Sequence, residues 1–373
     1  RYFIGFGPKV FSFRRGETEY GLKIIPAGGF CDIAGMTNMD EVTPEEAPKS
    51  MWRFPTWKRV VVLSAGSVTH FILGFLVLYF LAVSLGLPNT QDKPVIGRIT
   101  PCAQTAQLEQ HGQKKVLHYL PCAANAPAPA KSAGMMPGDT IVSVAGQSTP
   151  TWTRAVQLIQ QSNGPTPVVV RRGGRNVSLR VNVARVTNVT VASEGRNAAL
   201  RVGKVGAIGA GSQTMFHYNV ASAFGGAGAF TGGLFVNTWE GLKRFPEKVP
   251  ELIKAISGGK RDPNTPVSVV GASRIGGQLA EQGVWSLFWV LLASLNFFVG
   301  VFNLLPLLPL DGGHIAIVLY ERVRDWLRKL RGLRPGGPVD YAKLTAVTLV
   351  FIVIGGAVML LTITADIVNP IKL

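Results

Sequence analysis

Apolar positions along this chain fall into long unbroken runs and into stretches that repeat every two or every three to four residues. Val60 to Leu87, Val284 to Leu310 and Leu344 to Val368 are runs of the first kind. Each is long enough to cross a hydrocarbon core of about 30 Å, which takes roughly 20 helical residues. They predict three transmembrane helices. Near the start, VFSFRRGETEYGLKII alternates apolar and polar residues on either side of Arg15-Gly16-Glu17, which predicts a β-hairpin whose second strand ends at Pro26, Gly28 and Gly29. Phe3, Phe6, Phe11, Phe13, Tyr20 and Ile24 make that hairpin apolar for a soluble one. It either packs as a small sheet on its own domain or dips into the membrane edge, where an open strand can pair with an extended peptide.

Between the first and second runs the pattern changes. VIGRI (95–99) reads as a strand, and SAGMMPGDTIVSVAGQ (132–147) as a helix end, a turn and a second strand. A helical stretch from Thr153 to Gln161 follows, then TPVVVRRGG and NVSLRVNVA as strands joined at Gly173-Gly174. From Gly233 to Ile256, Phe235, Trp239, Leu242, Phe245, Val249, Leu252 and Ile256 recur at helical spacing with lysines and arginines between them, an amphipathic helix kinked or split by Pro246 and Pro250. It lies on the membrane surface or packs on the neighbouring domain. Ala223 to Gly233 reads as a flexible connector.

Composition narrows the class. Of 373 residues, 47% are hydrophobic and 16% charged, too apolar for an ordinary soluble protein. The net charge is +17, yet its distribution argues against nucleic acid. Arg14, Arg15, Lys23, Arg53, Lys58 and Arg59 precede the first run, and Arg322, Arg324, Arg328, Lys329, Arg331 and Arg334 lie between the second and third. Under the positive-inside rule both clusters are cytoplasmic, and the long region between the first two spans is external. Cys102 and Cys122 then fall on the side where disulfides persist, and are bridged there or remain as two free thiols. Cys31, on the inner side, is a reduced packing residue. His111 and His118 lack a metal-ligand spacing and read as solvated loop residues.

One carboxylate stands out. Asp311 follows directly on the apolar run in NLLPLLPLDGGHI (303–315), where Asn303, Pro306 and Pro309 interrupt helical hydrogen bonding. An ionised group at membrane depth is kept only when paired, solvated in a cavity or bound to a cation, and broken backbone there must face protein or water. Asp366 reads as interfacial, and His70 as packing between helices.

The segment 94–184, with PGDTIVSVAGQ its most specific part and 101–130 as an insertion, resembles a bacterial PDZ domain. Such domains bind peptide ends by strand addition, here beside the first strand and the helix. Together with NLLPLLPLDGG, AGSVTHF (65–71), the GFGPKVFSFRRGETEYGLKIIPAGGF opening and VSVVGASRIGG, it makes nearly the whole chain similar to the site-2 proteases. These are intramembrane zinc metalloproteases, and the most similar are actinobacterial members that cleave membrane-anchored anti-sigma factors. The resemblance implies a polytopic α-helical protein of the bacterial plasma membrane with a membrane-associated β-hairpin and an extracytoplasmic PDZ-like α+β domain. It also implies zinc as cofactor, Asp311 as a metal ligand, and Asn303 and Pro306 beside the substrate. The expected partners are membrane-anchored peptides and the lipid bilayer.

The chain divides accordingly into a hairpin region (1–59), a span (60–87), the PDZ-like domain (94–184) and a connector with the amphipathic helix (185–283). A second span carrying LDGG (284–320), a basic cytoplasmic loop (321–343) and a third span (344–369) complete it. One departure matters: the family's His-Glu-x-x-His helix, which supplies two zinc ligands and the general base, is missing. The five histidines are His70, His111, His118, His217 and His314, with none four residues from another. A catalytic zinc takes three protein ligands. A site of Asp311, His314 and His70 is conceivable, though the family uses neither histidine so. The expectation is an N-terminally truncated sequence, inactive as it stands, whose missing helix is encoded upstream of Arg1. The alternative is a catalytically inactive membrane scaffold that binds peptides through the PDZ-like domain.

Overall fold

A computed structural model describes residues 1–371, apart from 38, 39, 41, 112, 113, 191–200, 260 and 263. The chain forms two compact units, one of residues 1–78 and 230–373 and the other of residues 79–229.

The first unit opens with β1 (Tyr2–Arg15) and β2 (Thr18–Cys31), antiparallel about the Arg15-Gly16-Glu17 turn. The second strand does not end at Pro26. It continues to Cys31, and the ribbon folds back so that Tyr2–Ile4 pairs with Tyr20–Leu22 on one edge and with Gly29–Cys31 on the other. Glycine permits this doubling. A Cβ at Gly5, where φ is +92°, would meet the Ile25 carbonyl oxygen at 2.7 Å, and only glycine adopts such a φ without penalty. Phe11, Phe13, Ile24 and Ile25 all remain exposed.

Helix α1 (Thr56–Ser84) contributes to both units. Met51 and Leu63 are buried with Val318 in a small cluster at its start.

The second unit continues with β3 (Leu87–Pro88), β4 (Ile96–Ile99), β5 (Ala106–His111), β6 (Lys114–Tyr119) and α2 (Pro129–Ser132). Then come β7 (Thr140–Val144), β8 (Gln147–Ser148), α3 (Trp152–Gln161), β9 (Gly164–Arg172), β10 (Arg175–Thr190), β11 (Arg201–Ala207), β12 (Ala210–Ser212) and β13 (Met215–Phe216). A five-stranded sheet in the order β11-β10-β9-β7-β8 carries the core, in which Ile141, Val144, Val168, Val170 and Val181 are buried against Ala155, Leu158 and Ile159 of α3. Alternate residues of β9 and β10 face inward, as the period of two requires. Thr151 caps α3 by accepting the Arg154 amide. In the Pro-Gly-Asp turn Asp139 is 1% exposed; Arg172 donates to both its carboxylate oxygens, at 2.7 and 2.6 Å, and the Met136 amide to one. Cys102 and Cys122 are disulfide-bonded, closing the loop that holds β5 and β6. The side chain of His111 lies outside the described residues, and His118 is exposed.

Helix α4 (Val220–Ile256) contributes to both units. The expected connector at 223–233 is therefore helical, and neither Pro246 nor Pro250 splits the helix. Packing overrides propensity here: Phe230, Leu252 and Ala255 are buried, and Phe235 stacks edge-on against Phe71 and Phe297. The rest of the first unit is α5 (Val269–Glu281), α6 (Trp285–Asn303), α7 (Asp311–Leu330) and α8 (Thr345–Val368). Among the described residues, Thr56–Ser84, Trp285–Asn303 and Tyr341–Val368 are long and apolar enough to cross a membrane. The second run is not one helix to residue 320. It stops at Asn303, and a turn-rich connector of 304–310 separates it from α7, because Pro306 and Pro309 offer no amide to a continuing ladder.

Candidate metal centre

Asp311 is the first residue of α7 and half-buried, so the unsatisfied amides of that helix end favour its negative charge. It makes no hydrogen bond or ion pair among the described residues. The two glycines that follow are dictated by contact: a Cβ at Gly312 would lie 2.3 Å from the Leu304 carbonyl, and one at Gly313 2.6 Å from that of Leu307. The connector thus folds directly over the start of α7, which presses the broken backbone onto protein rather than lipid. Asn303, the last residue of α6, is half-buried, and its side chain has no partner among the described residues. Pro306 is exposed on the connector. Both residues flank the break that ends at Asp311.

On the other side of the carboxylate is α1. Asp311 Oδ2 lies 3.8 Å from the position a Cβ would occupy on Gly66, so the helix backbone faces the carboxylate with no side chain between. The antiparallel seam of α1 and α6 holds this register. Phe71 fills the space over Gly300 and Phe297 the space over Gly74, with hypothetical Cβ contacts of 2.4 and 2.8 Å. Small residues at such seams let helices approach closely. Beside the two rings, His70 Nδ1 and Asn296 Oδ1 are 2.9 Å apart. Ser67, on the next position after Gly66, is fully buried, and its hydroxyl has no partner among the described residues.

His314 is committed elsewhere: its Nδ1 lies 3.3 Å from the Tyr341 hydroxyl, and the two rings stack. The conceivable set of Asp311, His314 and His70 is therefore not assembled. Among the described residues no group of three His, Cys, Asp or Glu side chains is placed to hold a metal ion. One carboxylate does not fit a catalytic zinc, which takes three protein ligands, and no step through zinc follows from these residues.

Sequence patterns missed the partners. Asn296 was legible as a polar residue in a span, two helical turns before Asn303. Asp366 is buried against Arg261, and Arg59 pairs with Glu321 at 3.0 Å. Nothing local marks those pairings.

In the second unit a cavity of about 1010 Å³ lies between α3 and the 206–215 segment, with Trp152, Val156 and Ile159 along one wall and Gln104 and Tyr119 of the disulfide loop at its rim. The expected edge for an added strand, VIGRI, is not open. β4 pairs with β12 on one side, and Val95 bridges Thr140 on the other. Both β4 and β12 line the cavity, and β12 arrives from a distant part of the chain.

The model of peptidase family M50 matches residues 1–347. The chain is 41% identical over 379 residues to zinc metalloprotease Rip1 of Mycolicibacterium smegmatis, covering 100% of this chain and 90% of that protein. It is 42% identical over 380 residues to the Rip1 of Mycobacterium tuberculosis, with the same coverage. A more distant relative is metalloprotease MmpA of Caulobacter vibrioides, 28% identical over 356 residues, covering 87% of this chain and 79% of that protein.

Proposed function

The chain belongs to peptidase family M50, and from that footing we propose that it works as an intramembrane protease on single-span membrane proteins of the anti-sigma-factor type. Membership makes it a membrane zinc metalloprotease, with zinc the expected cofactor and membrane-embedded proteins the expected substrates. The observation that carries the finer reading is Asp311: a half-buried, unpaired carboxylate at a helix start, against a glycine of the neighbouring span and beside a broken backbone.

In this reading Asp311 would be one ligand of a zinc whose bound form would supply Lewis-acid chemistry for peptide hydrolysis. The other ligands and the general base are not among the described residues. Asn303 and Pro306 line the path of the substrate, whose helix must be extended before its peptide bonds are reachable. Asn303 has free hydrogen-bonding capacity for such a strand. The second unit acts as a PDZ-like domain outside the cytoplasm of a bacterial plasma membrane, taking an extended peptide between β12 and α3. The basic residues at 322–334 support that orientation.

The test uses the whole protein with a membrane-anchored reporter. Asp311→Ala abolishes cleavage and lowers bound zinc while the protein remains inserted. Unchanged zinc content and cleavage would sink the assignment.

A further inference from the structure

The C-terminal half of α7 leaves the site at Asp311 and carries an apolar face that no described residue of the first unit covers. At about 100° per residue, Leu319, Val323, Trp326, Leu327 and Leu330 fall within an arc of roughly 100°, the width of an amphipathic stripe. All five are exposed, Trp326 at 58% and Leu330 at 67%. The opposite side of the helix faces the protein through Val318 and Glu321. Arg322 and Lys329 border the apolar arc on one flank and Arg331 on the other, each exposed and without a partner among the described residues.

The level of this segment relative to the spans is set by an ion pair. Arg59, in the first turns of α1, holds Glu321 with both side chains 12% exposed, and the other Glu321 oxygen accepts the Val339 amide just before α8 begins. Residues 322–338 therefore leave and return at the height where two spans start. The surroundings at that height are aromatic and cationic: Arg53 lies over Trp52, Lys58 over Trp57 and Phe54, and Arg324 over Tyr320. Such belts sit where acyl chains meet headgroups. A helix continuing from there into water would expose five large apolar side chains. Laid along the leaflet, it buries them and points its cations at phosphate.

We propose that α7 from Leu319 to Leu330 is an in-plane membrane anchor that binds the headgroups of anionic phospholipids. The occupant is lipid rather than a protein groove because the cations flank the apolar arc on both sides, the arrangement that lets long basic side chains reach headgroups while the face between them is immersed. The inference needs only that the spans lie in a membrane and is independent of proteolysis.

The whole protein is reconstituted in nanodiscs containing spin-labelled phosphatidylglycerol or spin-labelled phosphatidylcholine, and the immobilised lipid fraction is measured. The expected result is a preference for phosphatidylglycerol that weakens with salt. Lys329→Gln combined with Arg331→Gln lowers it, by about fivefold per neutralised charge. Lys329→Arg with Arg331→Lys retains it, since either cation attracts phosphate. A spin label at Leu330→Cys, in a Cys31→Ser background, is expected to read the headgroup and acyl boundary. Equal retention of the two lipids by the unaltered protein overturns the proposal. So does a Leu330 label in bulk water, the result if this face awaits a protein instead.

Discussion

Arg261 and Asp366 are 105 residues apart and form an ion pair of 2.6 Å whose side chains are only 3% and 2% exposed. Asp366, at the end of α8, also accepts the amide of Ser268, the capping residue of α5. Arg261 donates further to Thr265 and to the carbonyls of Pro266 and Asn369. Both charges are thus satisfied without water, as burial requires. α5 reaches them because Gly271 has no Cβ; one there would lie 2.4 Å from Asp366 Oδ2.

Removing one member leaves the other buried and unpaired, so Arg261→Met is expected to destabilise the first unit by about 3–5 kcal/mol. Replacing both, as Arg261→Met with Asp366→Leu, is expected to recover much of that loss. Thermal unfolding of the detergent-solubilised protein measures it. Equal stability of the single variant and the unaltered chain would refute the latch.

The seam of α1 and α6 gives a second expectation. Gly300→Leu places side-chain atoms where the Phe71 ring sits and is expected to cost about 1–3 kcal/mol through overpacking. His70→Ala loses one interhelical hydrogen bond, typically about 1 kcal/mol or less. Both changes loosen the seam that holds α1 beside Asp311, so cleavage of a membrane reporter by the whole protein should fall more than stability does. A parallel fall in both would make the seam purely structural.

Asp139 links the second unit to pH. Burial pushes its carboxyl up, but the Arg172 guanidinium and the Met136 amide pull it down further, leaving it below the usual carboxylate range. A depressed folded value contributes stability that is complete above the unfolded value of about 3.9 and is lost as pH falls through the folded one. Asp139→Asn is expected to cost about 2 kcal/mol at neutral pH and to flatten the acid dependence below about pH 4. Hydrogen exchange of β7 and β9 in the intact chain reads both. An unchanged acid limb in the variant would remove Asp139 from the account.

The disulfide yields a fourth. Cys102 and Cys122 enclose a separation of 20 residues, for which chain-entropy arguments give about 3 kcal/mol. Cys102→Ser with Cys122→Ser is expected to speed exchange at the Leu120 amide, which donates to Thr105, and, under the proposed peptide-binding role of this unit, to lower affinity for an extended peptide, because Gln104 and Tyr119 border the cavity. Protection and affinity that survive the substitution would show that the loop holds itself.

Three long apolar runs, a hairpin turn at Gly16 and the strands of β7, β9 and β10 were legible because each rests on local periodicity or on a turn residue. Asp311 was legible because a charge at the end of an apolar run is costly wherever the chain goes. The helical course of 223–233, the doubling of β1 and β2, and the occupation of the β4 edge by β12 were not. Gly-rich and Pro-containing stretches carry weak local preferences, so distant packing decides them; a strand's free edge depends on which segment arrives beside it.

By itself, then, the order of residues determined how many segments are long enough to span a membrane, which residues interrupt the second, and where a lone carboxylate must sit. Those are properties of chain length, hydrogen-bonding capacity and transfer free energy, and need no neighbours. Only the tertiary structure decided that His70 meets Asn296, that Phe71 and Phe297 pack over Gly300 and Gly74, and that Gly66 faces Asp311. It also decided that Arg59 and Arg261 neutralise Glu321 and Asp366. Pairing of that kind depends on the register between helices far apart in sequence, and register is set by the shapes that fit.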